Sequence, residues 1–208
     1  MTGAAVTPRH HPSEATLAQY VAGTLRPGFD VVVAAHLSTC AHCRAEAARL
    51  EAVGAAMLDE QAPVDMSADA LDRALARIET PEAEVPPAPT LAEVLTPRRR
   101  RWLAPGVWTA KVDTPRYASD RVYLLGVGPG ISTADHGHGG LEFTQVISGA
   151  LQDGDIVYRA GDFIEHDADH EHQPVVWGDE PCVCLFATQG RLKPKGWLGR
   201  LVFALADV

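Results

Sequence analysis

The chain has 208 residues, 46% hydrophobic and 22% charged, enough apolar material for one ordinary core or two small ones. Acidic residues outnumber basic ones 27 to 18, and a net charge of −9 with a pI near 5.4 argues against a protein that grips nucleic-acid backbone. No uncharged apolar run reaches the length of about 18 residues that a membrane span needs, and MTGAAVTPRHHPSEATLAQY lacks the cationic head and apolar stretch of an export signal, so the expectation is a soluble, cytoplasmic protein with no membrane partner.

The first 80 residues read as helical. Ser13 is placed to cap a helix bearing Leu17, Tyr20, Val21 and Leu25 on one face, with Arg26-Pro27-Gly28 as its stop. Asp30 can cap a second helix through VVVAAHLS. A third, CRAEAARLEAVGAAMLDE, carries Leu50, Val53 and Met57 at helical spacing, and Ser67 precedes a fourth with Leu71, Leu75 and Ile78 on one stripe. Four short helices make a small core that gains from a staple.

The nine histidines and four cysteines fall into two groups, with none of either between residues 44 and 135. In the first group His36, Cys40 and Cys43 form HxxxCxxC, whose offsets put three borderline-to-soft ligands on one face of a helical segment. Tetrahedral zinc needs a fourth ligand, which His10 or His11 can supply from ahead of the first helix. Two thiolates also balance the charge of Zn²⁺. His42 points elsewhere and reads as a bystander.

Residues 81–97 hold Pro81, Pro86, Pro87, Pro89 and Pro97 and read as a linker between a helical domain, 1–80, and a second domain, 98–208. Arg98 to Arg101, the one basic cluster, reads as a solvated or acid-paired boundary. Beyond it glycines and β-formers dominate. RVYLLGVG, LEFTQVISG, ALQDGDIVYRAGDFI, QPVVWG and PCVCLFATQG each have strand character, which predicts an antiparallel sandwich or barrel. The fold class is therefore α + β in two parts, a small four-helix zinc domain followed by an antiparallel β-barrel.

In the barrel part His136 and His138 lie two apart on a presumed strand, with Glu142 in the same register, so three ligands can line one wall. A fourth must come from AGDFIEHDADHEHQP, which offers His166, His170 and His172. The acidic residues of that stretch, Asp162, Glu165, Asp167, Asp169 and Glu171, read as a solvated loop. Cys182 and Cys184 share a strand face and read as buried small apolar residues, the sharper alternative being an oxidant-responsive thiol pair.

The run from HHPSEATLAQY through HLSTCAHCRAEAARL resembles the zinc-binding anti-sigma domain of the ChrR family of cytoplasmic anti-sigma factors. That resemblance implies His11, His36, Cys40 and Cys43 as the zinc ligands. Residues Gly130 to Gly149 fit Gx5HxHx3Ex6G and resemble the first cupin motif; Arg159 stands where the second motif usually has proline. By the same resemblance the last ligand precedes a residue and a proline, which selects His172 ahead of Gln173 and Pro174, with His170 next in line and His166 too near the Gly161-Asp162 turn. The implied metal set is His136, His138, Glu142 and His172, holding Zn²⁺ or another divalent transition metal. What the family implies is a non-enzymatic protein that binds and inhibits an extracytoplasmic-function sigma factor one to one. It makes no direct DNA contact, and the sigma factor is released on photo-oxidative or other oxidative stress sensed through the cupin half. The competing expectation is a metal-dependent cupin enzyme of dioxygenase type with a helical oligomerisation arm.

Overall fold

A computed structural model describes residues 7–79, 91–96, 99–112, 120–132, 136–137, 140–167, 171–189 and 193–194. The proline run read as a linker, His138 and His170 lie outside these residues. Five helices come first: α1 (Glu14–Val21), α2 (Pro27–Thr39), α3 (Ala41–Asp59), α4 (Ala70–Glu79) and α5 (Leu91–Leu95). Twelve short strands follow: β1 (Arg101–Ala104), β2 (Val107–Lys111), β3 (Arg121–Val127), β4 (His136–Gly137), β5 (Glu142–Ser148), β6 (Ala150–Asp153), β7 (Ile156–Arg159), β8 (Phe163–His166), β9 (Glu171–His172), β10 (Val175–Val176), β11 (Cys182–Thr188) and β12 (Lys193–Pro194).

Ser13 caps α1 as its position predicts, its Oγ accepting from the Thr16 amide at 3.2 Å. The next boundary departs from expectation. α1 ends at Val21, a turn before Arg26-Pro27-Gly28, on Gly23 at φ 65°. Pro27 opens α2 instead, where its fixed φ suits the first helical turn. Asp30 does not cap α2 but sits inside its first turn, and the N-cap Arg26 gives no side-chain cap. The acceptor comes from more than 90 residues away, 92 from Gly28 and 94 from Arg26: Asp120, just before β3, accepts from the Gly28 amide at 3.0 Å and from Arg26 Nε at 2.7 Å. A buried carboxylate at this helix start meets both the orphan amides and the positive end of the dipole.

The sheets are antiparallel throughout, one of six strands in the order β1-β2-β3-β11-β5-β8 and two of three, β10-β6-β7 and β12-β4-β9. β1 and β2, not anticipated from the sequence, extend the large sheet. There the Arg100 guanidinium lies 4.4 Å over the Trp108 ring, so part of the arginine cluster is packed on an aromatic face. Only glycine fits at 126, because a Cβ there would come within 2.2 Å of the Trp108 indole.

Strand alternation divides the large sheet into two working faces. Val146, Cys182, Cys184 and Val127 join Leu151, Ile164 and Val176 in an interior cluster between sheets. Phe143, Leu185 and Ala187, of opposite parity, join Phe29, Val32 and Val33 of α2 in a second core that spans helices and sheet. Phe29 meets Phe143 edge-on at 4.9 Å, and Phe143 meets Phe163 at 5.3 Å. This explains why α2 is apolar nearly all round: it is buried on both sides. The helices do not close a core by themselves; α2 shares its core with the sheet. α4 buries no residue, Val53 and Met57 of α3 are exposed, and α5, within the stretch read as linker, packs Val94 against the α2 core.

Candidate functional site

The ligand run begins on α2 and finishes on α3. The two helices do not fuse: Cys40, at φ −100° and ψ 106°, ends one and caps the other, its Sγ accepting from the Cys43 amide at 3.5 Å. The break turns Cys40 toward the same point as His36 and Cys43 without a continuous helix. One donor atom from each of His11, His36, Cys40 and Cys43 lies within 4.8 Å of all the others. His11 Nδ1 is 3.5 Å from Cys40 Sγ and 3.3 Å from Cys43 Sγ, and His36 Nε2 is 3.3 Å from Cys43 Sγ. Two imidazoles and two thiols converging in a buried pocket are a donor set that fits tetrahedral Zn²⁺.

Protonation follows from burial. Burial holds both imidazoles below the usual histidine range, aided at His11 by His42 and opposed at His36 by its hydrogen bonds, so both present lone pairs at neutral pH. Burial, with the bond to and charge of Cys40, pushes the Cys43 thiol up to about 12, so a metal must displace its proton.

The tautomer of His36 is fixed by the sheet. Its Nδ1 lies 3.0 Å from the Gly161 carbonyl and 3.1 Å from Gln145 Oε1, both acceptors. Nδ1 therefore carries the hydrogen and Nε2 faces the thiols, the outer-sphere arrangement common to metal-bound histidine. Gln145 is held in turn by donating to the Val146 carbonyl at 3.2 Å.

The segment ahead of His11 is fixed from the same side. Asp162 Oδ1 accepts from the Arg9 and His10 amides at 2.6 and 3.1 Å, and Oδ2 from the Arg159 amide at 2.8 Å. His10 Nδ1 sits 3.2 Å from Asp162 Oδ2, so His10 turns to the carboxylate while its neighbour His11 turns to the thiols. Burial opposes ionisation of Asp162, but the three amides and His10 outweigh it and hold the carboxyl below its usual range. Glu165 Oε1 accepts from the Ser13 amide at 3.0 Å. These two acids, expected in a solvated loop, clamp the segment that carries His11 to the sheet.

The second cluster lies inside the barrel part. Glu142 on β5, His166 on β8 and His172 on β9 place one donor atom each within 4.8 Å. The sequence reading puts His166 too near the turn, yet β8 runs from Phe163 and places it directly opposite Glu142. His136 pairs with His172 through the backbone of β4 and β9; its side chain and the whole of His138 fall outside the described residues. Cys182 and Cys184 place their sulfurs 3.6 Å apart, and their mutual hydrogen bond with burial raises the Cys184 thiol well above its usual range.

Residues 93–192 match the family described as ChrR Cupin-like domain. Over 209 aligned residues, 95% of this chain and 97% of the relative, it is 39% identical to the anti-sigma-E factor ChrR of Cereibacter sphaeroides. The chain belongs to the ChrR family. The solved structure of Rhodobacter sphaeroides SigE in complex with the anti-sigma ChrR matches with a TM-score of 0.72 and 41% identity, covering 88% of this chain and 100% of that one. In this ChrR-family chain, as the sequence resemblance implied, a helical N-terminal region precedes an antiparallel cupin-like domain.

A ChrR-type protein of this form also displays apolar surface. Leu71 is 67% exposed and Ile78 81%, with Leu75, Val53, Met57 and Leu58 exposed beside them on α4 and α3. Between α1 and α3, next to Cys43, opens a groove of about 540 Å³ lined by His11, Leu17, His42, Glu46, Leu50 and Val53. No helix of the described residues is long and apolar enough to cross a membrane.

Proposed function

We propose that this chain is an anti-sigma factor that binds an extracytoplasmic-function sigma factor one to one and withholds it from transcription. The observation that carries this reading is likeness over nearly the whole chain to ChrR, a protein solved in complex with SigE. The exposed apolar stripe of α4 and the outer half of α3 is the surface such a partner would cover, since nothing in the described residues buries it. The chain's charge of −9 suits a basic, promoter-binding partner and not DNA itself.

In this reading residues 1–80 engage the sigma factor, 81–97 connect, and 98–208 sense. Zn²⁺ held by His11, His36, Cys40 and Cys43 is structural, fixing α1, α2 and α3 relative to one another, and supplies no chemistry. The barrel part holds a second divalent metal, with Glu142 and His172 among its ligands together with His136 and His138 of the strand motif. The protein is cytoplasmic and not an enzyme, and oxidative stress acts through the cupin half to release the sigma factor.

The test is co-expression of the full chain with an extracytoplasmic-function sigma factor, followed by copurification and metal analysis. A stable one-to-one complex carrying zinc is expected. Absence of any such complex with a correctly folded, zinc-loaded chain would overturn the proposal.

A further inference from the structure

We infer that the barrel metal of this chain takes His166 as a ligand beside Glu142 and His172, with Asp153 positioning His172 from behind. The inference deepens the reading that the barrel holds a metal and rests on it. Four elements bring these residues together. β5 supplies Glu142, the facing residue of β8 supplies His166, β9 supplies His172, and Asp153 ends β6. Glu142 is 1% exposed, and the side chains of His166, His172 and Asp153 are 9%, 6% and 12% exposed.

The donor geometry decides the roles. Asp153 Oδ2 lies 2.6 Å from His172 Nδ1 and 3.7 Å from His166 Nε2. The short contact is an Nδ1–H donating to a carboxylate, which leaves His172 Nε2 as the metal-binding nitrogen, so Asp153 acts through His172. The imidazoles of His166 and His172 stand nearly perpendicular with centroids 4.4 Å apart, and each presents a donor atom within 4.8 Å of a Glu142 oxygen.

Charge points the same way. Glu142 places a buried carboxylate oxygen among the histidine donors, and a divalent ion held there would meet its charge. Nitrogen and oxygen donors without thiolate suit a borderline first-row ion. This differs from the strand motif, which draws its histidines from one wall: His166 comes from the strand opposite Glu142, so the ion also ties β5 to β8.

Co²⁺ titrated into the metal-free full-length chain tests this. Co²⁺ at the two-cysteine site gives intense thiolate charge-transfer bands, while Co²⁺ in the barrel gives only weak ligand-field bands, so each site is read separately. The unsubstituted chain is expected to take up two ions. His166→Gln should keep the thiolate bands, shift the ligand-field bands, and weaken barrel affinity by more than the roughly 10–100-fold typical of losing an outer-sphere partner. Asp153→Asn should weaken it about 10–100-fold with the ligand-field bands little changed. As a measurement free of substitution, the His166 ring protons of the cobalt-loaded chain should show the large contact shifts of a bound imidazole. Unaltered barrel affinity and spectrum in His166→Gln, or a His166 ring without contact shifts, overturns the inference while leaving the barrel metal standing. Uptake of one ion with thiolate bands alone overturns the barrel metal itself.

Discussion

Replacing Asp162 by alanine should loosen the zinc cluster although Asp162 touches none of its donor atoms. The carboxylate is buried and accepts three backbone amides, those of Arg9, His10 and Arg159, at 2.6 to 3.1 Å. Hydrogen bonds to a charged acceptor contribute about 1.5–3 kcal/mol each. Three do not add fully, because residues 9 and 10 lie near the surface and water replaces part of what is lost. A loss of about 3–5 kcal/mol is the expectation, a large fraction of the roughly 5–15 kcal/mol that holds a typical domain. At about 2–4 °C per kcal/mol for a chain of this size, the melting temperature should fall by roughly 10 °C. Because residue 11 follows the clamped segment directly, zinc affinity measured against a chromophoric chelator should drop about 10–100-fold. The pH dependence has a definite sign. The folded carboxyl titrates below its unfolded value, so its contribution is complete above that value, about 3.9, and fades as pH falls through the folded pKa. The stability gap between the native chain and Asp162→Asn should therefore be widest near neutrality and close in acid. An Asp162→Ala chain with native melting temperature and native zinc affinity would refute the clamp.

Three further outcomes are expected. Gln145→Leu removes one acceptor from His36 Nδ1, and zinc affinity by chelator competition should fall about 10-fold with little change in the far-UV spectrum. Gly28→Ala places a Cβ 2.6 Å from Asp120 Cβ and 2.9 Å from Val122 Cγ2, so denaturant unfolding should show a loss of about 1–3 kcal/mol as α2 lifts from β3. Leu75→Asp with Ile78→Asp alters only exposed side chains; the melting temperature should hold while copurification with the sigma factor is lost, and a retained complex would remove α4 from the interface.

The convergence of His11, His36, Cys40 and Cys43 was legible because its signal is local. HxxxCxxC packs three ligands into eight residues, and a capped helix with a histidine ahead of it supplies the fourth. What the sequence concealed is what depends on distant register. Nothing near Pro27 announces that Asp120 will serve as the acceptor for α2, so the nearest acid, Asp30, was the natural choice. Nothing near His166 announces that it faces Glu142, because that pairing is set by how β5 and β8 align. The stripe on α4 reads as amphipathic, but periodicity says only that a face is apolar, not whether the chain itself will bury it. β1 and β2 escaped because, at four and five residues, they are too short for alternation to mark them.

The acceptors of His36 Nδ1 have a consequence for modularity. All four donors of the His/Cys cluster belong to the first 43 residues, yet the partners that orient His36 and hold the segment ahead of His11 belong to residues 145, 161 and 162. A fragment ending at residue 80 would carry the full ligand set and none of this support, and it would open Phe29, Val32 and Val33 to water. Coordination and scaffold are thus encoded in different halves of the gene, so exchanging one half between relatives should succeed only where the residues under His36 and His10 are exchanged with it.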